Sequence, residues 1–134
     1  MAGKIVADTL EHSTAGSIAT NYVVEGSLKA WINFDGSATG AVGDYDRDSF
    51  NCSVLTDHGS GSFTLGFTNN FGNANYAGAG LAGSNGTSFG KVRSLGINHD
   101  APTSSSFRVH SQQTDSGSNT NDPQIHVILV GDLA

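Results

Sequence analysis

Alternation of apolar and polar residues is the clearest signal in this chain, and it predicts a β-rich fold. Phe63, Leu65 and Phe67 alternate with small or polar residues, which is the period of a strand with one buried face. Residues 50–54 show the same alternation, with apolar side chains at every second position. The polar, glycine-containing segment between the two runs predicts that residues 50–68 form one β-hairpin.

A second strand is predicted at residues 28–34, and its apolar side chains fall on both faces. Ala30, Ile32 and Phe34 point one way, whereas Trp31 points the other. Apolar residues on both faces are typical of a strand that is covered on both sides. We therefore expect both faces of this strand to be covered.

The remaining periodic segments complete an all-β pattern. In total the chain shows about seven short strands separated by turn residues, which favours one antiparallel β-sandwich or jelly-roll-like domain. Small residues fill one of the expected strands, so another backbone can approach it closely. The further strands are expected at residues 71–82, 91–98, 104–111 and 125–130.

Two segments lie outside this pattern. Residues 1–27 show no helical stripe and only weak strand character near residues 18–25. We interpret residues 1–27 as an extended N-terminal arm for attachment or oligomerisation, followed by a β-sandwich domain at 28–134. Residues 112–123 form a long polar loop, and we expect no core residue in it.

The charge content narrows the possible partners. Only 13% of the residues are charged, and the net charge is −6 with six scattered Lys and Arg residues. Nucleic-acid binding depends on clustered cations, so we expect no nucleic-acid partner. No apolar run approaches the roughly 20 residues of a membrane span, so we expect no membrane insertion. Low charge with 18 glycines also suits a surface partly covered by identical copies.

The acidic segment at Asp44, Asp46 and Asp48 is the sharpest candidate metal site. Alternate carboxylates on a loop can gather a hard cation such as Ca²⁺. An EF-hand reading fails, since Ser49 and Leu55 stand where that loop needs glycine and glutamate. A solvated acidic loop without metal remains the alternative, and we expect no other cofactor.

Motifs for catalysis are absent from the sequence or lack their structural context. Residues 86–90, GTSFG, match the G-x-S-x-G pattern literally, but they fall in a predicted polar loop and not at the strand-to-helix turn of a nucleophile elbow. Residues 78–83 match the dinucleotide pattern literally, but no βαβ unit surrounds them. Cys52 is the only cysteine, and its place in the strand alternation predicts a small buried hydrophobe. We therefore expect no enzymatic activity.

Several of these segments together resemble a recurrent β-rich module of tailed-phage virion proteins, which include tail fibres, other appendages and head decoration proteins. The resemblance is tight across residues 29–76, and the acidic segment described above departs from the family pattern. The segments that carry the resemblance are KAWINFDGS at 29–37, DSFNCS at 48–53 and TDHGSGSFTLGFT at 56–68.

The resemblance implies a non-enzymatic virion structural protein, a fibre or spike-type appendage that contacts the host surface. An alternative is a capsid decoration (cement) protein that stabilises the head, with the N-terminal arm lying on the shell. A polysaccharide depolymerase is the outside possibility. We expect a homo-oligomer, specifically a homotrimer, that binds other virion proteins and a host-surface glycan. No leader segment is visible, so we expect synthesis in the host cytoplasm and a final location in the virion.

Receptor contacts are expected in the long polar loops, because no residue in them is expected to belong to the hydrophobic core. These loops are residues 83–90 and 112–123. The candidate contact residues in them are Ser84, Asn85, Thr87, Asp115, Asn119 and Asn121.

Overall fold

The computed structural model describes residues 6–38, 46–84, 92–97 and 102–134. Within these ranges the chain forms ten strands and one short helix. In chain order they are β1 (Thr9–His12), β2 (Gly16–Ala19), α1 (Thr20–Gly26), β3 (Leu28–Phe34), β4 (Asp46–Phe50), β5 (Cys52–Asp57), β6 (Ser62–Phe67), β7 (Ala77–Gly83), β8 (Arg93–Ile97), β9 (Ser106–Gln113) and β10 (Gln124–Val130).

Eight of these strands form two antiparallel four-stranded sheets, which confirms the predicted β-sandwich. The first sheet has the strand order β4-β3-β10-β7, and the second has the order β5-β6-β9-β8. Strands β1 and β2 form a separate two-stranded sheet in the N-terminal arm. The chain therefore crosses between the two main sheets after β4, β6, β7 and β9.

The core lies between the inner faces of the two sheets. Its aromatic rings meet edge to face, as in the pair Phe34 and Phe63 with centroids 5.0 Å apart. Every second residue along β6, β9 and β10 contributes, because strand side chains alternate between faces. The buried apolar residues are Ala30, Ile32, Phe34, Leu55, Phe63, Leu65, Phe67, Phe71, Phe107, Val109, Ile125, Val127 and Leu129.

Glycines on the inner side of β7 let the second sheet come close. A Cβ added to Gly78 would lie 2.6 Å from the Leu129 side chain and 3.2 Å from the Phe107 ring. A Cβ added to Gly80 would collide with the Leu95 side chain from β8. The small residues of this strand therefore make room for facing side chains and, at Gly80, for a neighbouring backbone, since a Cβ there would also lie 2.6 Å from the His126 carbonyl oxygen.

The predicted hairpin exists, but it is shorter than expected, and its first strand has a different phase. Phe50 belongs to β4 of the first sheet, and its side chain is 54% exposed. Asn51 adopts a left-handed φ of 58°, and there the chain turns towards the second sheet. A register shift between Cys52 and Val54 then places Leu55 in the core. A bulge adds one residue and exchanges the two faces, which an unbroken alternation cannot reveal.

The N-terminal arm contains a hairpin and a helix, so the weak strand character expected near residues 18–25 was right for residues 18–19, which lie in β2, and wrong for residues 20–25, which lie in α1. Helix α1 contains no buried residue, and its valines and tyrosine are mediocre helix formers. Its start is held by the hairpin, since Thr20 donates from its backbone N and its Oγ1 to the Asp8 carbonyl at 2.8 and 3.1 Å. Its last turn is held by Lys29 Nζ, which donates to the Val24 carbonyl.

The loop between β9 and β10 carries a buried carboxylate, so the expectation that it holds no core residue was wrong. Asp122 is 1% exposed. Its Oδ1 lies 2.6 Å from Arg93 Nε in β8. Its Oδ2 accepts hydrogen bonds from Ser111 Oγ and, at 3.0 Å, from Thr120 Oγ1. This buried ion pair fastens the loop to both strands at that edge of the second sheet.

The same loop also ties the two sheets and the hairpin turn together. The Gly36 backbone N, just after β3, donates to the Asp122 carbonyl at 2.9 Å. The Gly61 backbone N donates to Asn121 Oδ1 at 2.5 Å, and the Gly61 carbonyl accepts from Ser111 N at 2.7 Å. The loop is therefore a structural brace at one end of the sandwich.

Substitution of Gly61 tests how tightly the atoms of this brace are packed. Gly61 and Gly117 have nearly the same left-handed φ, +68° and +65°, but a Cβ at Gly61 would collide with backbone atoms of Ser111 and Thr120, whereas a Cβ at Gly117 meets nothing within 4 Å. We expect Gly117→Ala to cost about 1–2 kcal/mol of unfolding free energy. We expect Gly61→Ala to cost about 3 kcal/mol or more, because overpacking is added. Urea unfolding measures both, and equal losses would contradict the packing described here.

Asp122 provides the second stability test. Asp122→Ala leaves Arg93 buried without its partner, and we expect a loss of about 3–5 kcal/mol. Asp115→Ala, in the exposed part of the same loop, is the matched control and is expected to stay within about 0.5 kcal/mol. Thermal and urea unfolding measure the difference. An Asp122→Ala protein as stable as the control would show that the ion pair contributes nothing to the brace.

Candidate functional site

The outer face of the first sheet carries a stripe of apolar side chains that crosses all four strands. In the β-sheet register, Trp31 of β3 lies opposite Phe50 of β4 on one side and Ile128 of β10 on the other. Ile128 in turn lies opposite Ala79 of β7. Directly opposed residues on one face have Cβ atoms about 5 Å apart, so these four side chains form a continuous row.

Two leucines extend this row along the sheet. Leu81 lies two residues beyond Ala79 on β7, on the same face. Leu28 lines a shallow depression together with Ala79 and Ile128. We call the six side chains together the outer apolar face: Leu28, Trp31, Phe50, Ala79, Leu81 and Ile128.

The outer apolar face is open to solvent in the single chain. Leu81 is 74% exposed, Ile128 is 45% exposed, and Trp31 is half-buried. The sequence predicted that β3 is covered on both sides, but the structure covers only its inner side with the second sheet. A large apolar surface left open on one sheet marks a place where another molecule binds.

The outer face of the second sheet has the opposite character. Thr56 of β5, Thr64 of β6 and Arg108 of β9 lie opposite one another across it. Arg108 donates from Nε and Nη2 to Ser62 Oγ at 3.1 and 2.9 Å, and His58 Nε2 lies 2.9 Å from Thr64 Oγ1. Polar outward residues are the usual pattern of a solvated sandwich face. The contrast singles out the first sheet as the unusual surface.

His110 also lies on the polar outer side of the second sheet. Partial burial lowers its pKa from the usual value, and the positive charges of Arg108 and His58 lower it further. The imidazole is therefore neutral at neutral pH, and the described residues offer its Nδ1 no hydrogen-bond partner.

The structure describes the predicted calcium site only in part. Asp44 lies outside the described residues. Asp46 and Asp48 are exposed on β4, where Asp46 Oδ2 accepts from Ser49 Oγ at 2.8 Å and Asp48 Oδ1 accepts from the Ser49 backbone N at 2.9 Å. Within the described ranges, no group of three or more His, Cys, Asp or Glu side chains is gathered so that it could hold a metal ion. Calcium binding stays a prediction.

The basic residue inside this acidic segment is paired elsewhere. Arg47 Nη2 lies 2.9 Å from Asp35 Oδ2 in an exposed ion pair. Burial acts to raise the pKa of Asp35, but hydrogen bonds from Ser37 and the charge of Arg47 outweigh it and lower the pKa. The pair joins the end of β3 to β4 at the edge of the first sheet.

The predicted receptor-contact residues fall into three situations. Asn85 and Thr87 lie outside the described residues, and Ser84 is half-buried just after β7. Asp115 is exposed, and its Oδ2 accepts from Gln113 Nε2 at 3.1 Å. Contact with a receptor stays a prediction for all of these residues.

Two of the predicted contact residues already make contacts within the loop. Asn119 Oδ1 accepts from Gln112 Nε2 at 3.0 Å. The side-chain oxygen of Asn121 is used by the Gly61 backbone N. Both residues are exposed. However, the side-chain oxygen of each already accepts a hydrogen bond that holds the loop, so it is not free to bind a ligand.

Cys52 is half-buried against the core, close to its expected place. Burial raises the pKa of its thiol to about 11, with a further contribution from the negative charge of Asp46. The thiol is therefore protonated at neutral pH and a poor nucleophile.

Sequence reasoning identified Trp31 as an outward residue but missed the rest of the outer apolar face. The signal was present in part, because Ile128 interrupts the polar side of its own strand, whereas β7 consists of Ala, Gly and Leu81 and has no polar side. What the sequence does not contain is the register that aligns them beside Trp31 and Phe50.

Within the described part of the chain, no helix has the length and apolar content needed to span a membrane. Comparisons of this chain with protein-family models, with curated proteins and with solved structures found no match.

Proposed function

We propose that this chain is a non-enzymatic structural protein of a tailed-phage particle, and that it works as a homo-oligomer built through the outer apolar face. The resemblance of residues 29–76 to phage virion modules supports the particle. The observation that carries the oligomer is the exposed row from Phe50 through Trp31 and Ile128 to Ala79.

The physical argument is the free energy of burial. Each large apolar side chain removed from water stabilises a complex by about 1.5–3 kcal/mol, and the face offers several such side chains in one flat patch. Aromatic residues and depletion of charge are typical of the centre of a protein interface. Trp31 and Phe50 supply the aromatic residues, and none of the six side chains is charged.

A fibre or spike-type appendage fits the long loop between β9 and β10. Its brace around Asp122 holds exposed residues such as Asp115 at one end of the sandwich. Rigidly supported loops are where binding residues are commonly placed. In this role the loop end contacts the host surface, and the outer apolar face joins the copies.

A capsid decoration protein is the second candidate, and the N-terminal arm favours it. The arm places Leu10, Ile18 and Tyr22 in solvent instead of packing them on the sandwich. An arm of this kind can attach a small protein to a larger surface such as a head shell. The two roles differ in where the protein sits on the particle.

The oligomer is tested by placing a charge on the outer apolar face. Leu81→Lys should leave the fold intact, because Leu81 is already exposed, and it should raise the subunit dissociation constant by about tenfold or more, since a buried lysine is costly. Thr56→Lys, on the outer side of the edge strand of the second sheet, is the matched control and should leave association unchanged. Sedimentation equilibrium measures both, and equal behaviour of the two variants would contradict assembly through this face.

The place in the particle is tested by immunogold labelling of phage particles that encode this chain. Labels at the tail are expected for an appendage, and labels spread over the head would support decoration instead. Particles that carry no label, while the purified protein is recognised by the same antibody, would overturn the proposal of a virion protein.

A further inference from the structure

We infer that the outer apolar face of one copy is covered by the N-terminal arm of a second copy of this chain, with helix α1 lying across the apolar row. The inference rests on the proposed homo-oligomer and names the segment that makes its contact. Two unpartnered apolar surfaces in the same chain carry it. One is the outer apolar face, and the other is the arm.

The arm is the second surface without a partner. In α1, Tyr22 is 68% exposed and Val24 is 62% exposed. Leu10 and Ile18, which lie opposite each other in the β1–β2 hairpin, are also exposed. A short helix with no buried residue gains little stability from its own sequence, since helices of this length depend on tertiary packing. Hydrogen bonds hold the two ends of α1 in the single chain, and a partner surface would add the apolar packing that the helix lacks.

The sizes of the two surfaces agree. A seven-residue helix is about 10 Å long at 1.5 Å per residue. The apolar row crosses four strands, which is about 14 Å at 4.7–4.9 Å between neighbouring strands. Helix α1 is therefore short enough to lie across the row, which Asn33 and His126 border on the same face of the sheet.

The charges of the two surfaces also agree. Within α1, Glu25 is the charged residue, and it lies near the C-terminal end. The central part, Tyr22 to Val24, is uncharged, as is the whole outer apolar face. Docking therefore brings apolar side chains together and leaves the carboxylate of Glu25 at the edge, in water.

The junction between arm and sandwich favours a second copy over the chain's own arm. Lys29 is buried and donates from Nζ to the carbonyls of Val24 and Ser27. These bonds fix α1 at the start of β3, and in that position Tyr22 and Val24 point into solvent and do not cover Leu28. The arm is thus held out from its own sandwich in a position to reach a neighbour.

The geometry also limits the kinds of oligomer. Arm and face are different surfaces, so two copies either exchange arms about a twofold axis or each copy gives its arm to the next one. Such contacts close into a ring when the rotation between copies allows it. In a closed ring every arm covers the outer apolar face of a neighbouring copy, and no arm or face is left without a partner. A homotrimer is one such ring.

Disulfide trapping tests the contact between two copies. Differently tagged copies, both carrying Cys52→Ser, are co-expressed, one with Tyr22→Cys and the other with Leu81→Cys. Since each copy has a single cysteine, a bond between them must join an arm to the face of another copy. We expect mixed disulfide at about ten times the level obtained when Thr56→Cys replaces Leu81→Cys, because docking raises the local thiol concentration.

Other outcomes separate this inference from the proposed oligomer. Mixed disulfide no higher than the Thr56→Cys control, in a protein that is still oligomeric and is dissociated by Leu81→Lys, would overturn arm docking and leave assembly through the face standing. A protein that is monomeric at all concentrations would overturn both. A monomeric disulfide in a copy carrying both Tyr22→Cys and Leu81→Cys, without mixed dimers, would show that the arm covers its own face and would overturn the exchange between copies.

A second variant removes the dependence on cysteine chemistry. Tyr22→Asp puts a charge on the exposed side of α1 and should weaken association to an extent similar to Leu81→Lys. Asp115→Asn, in the loop at the end of the sandwich, should leave association unchanged. Association unaffected by Tyr22→Asp would contradict a role for the arm.

Discussion

A sandwich of two sheets can bury only one face of each sheet, and this constraint governs the whole structure. Strand side chains alternate between the two faces of a sheet, so apolar residues on the outer face remain in water. In this chain the residues on the inner faces of the two sheets form a complete core around Phe34 and Phe63. On the outer side of the first sheet, Phe50, Trp31, Ile128 and Ala79 form an apolar row beside a polar row of Asp48, Asn33 and His126. In a single copy the described part of the chain leaves this apolar row largely open to solvent.

The strands with unbroken alternation could be predicted from sequence, and they came out nearly as expected. Leu28–Phe34, Ser62–Phe67 and Gln124–Val130 all place their apolar parity in the core. Phe50 did not, since the chain changes sheets at Asn51 and a register shift follows in β5. A change of sheet or a bulge requires no particular residue types. Neither could therefore be recognised from the alternation of apolar and polar residues.

Polar interactions over long sequence separations were harder to predict than apolar packing. Asp122 sits among serines, asparagines and threonines that look like an ordinary solvated loop. Its burial follows from Arg93, 29 residues earlier by sequence number, which reaches it only after β8 and β9 pair. Helix α1 depends in the same way on contacts from Asp8 and Lys29. The candidate site has this property too, because four strands must align before Trp31, Phe50 and Ile128 become one surface.

The half-buried thiol of Cys52 has a consequence for a particle in which many copies are packed at high local concentration. Burial raises its pKa to about 11, so very little thiolate exists at neutral pH. Thiolate is the species that attacks disulfides and oxidants. In the proposed assembly, neighbouring copies would therefore not be joined through Cys52, and their cohesion would rest on non-covalent contacts under reducing and oxidising conditions alike.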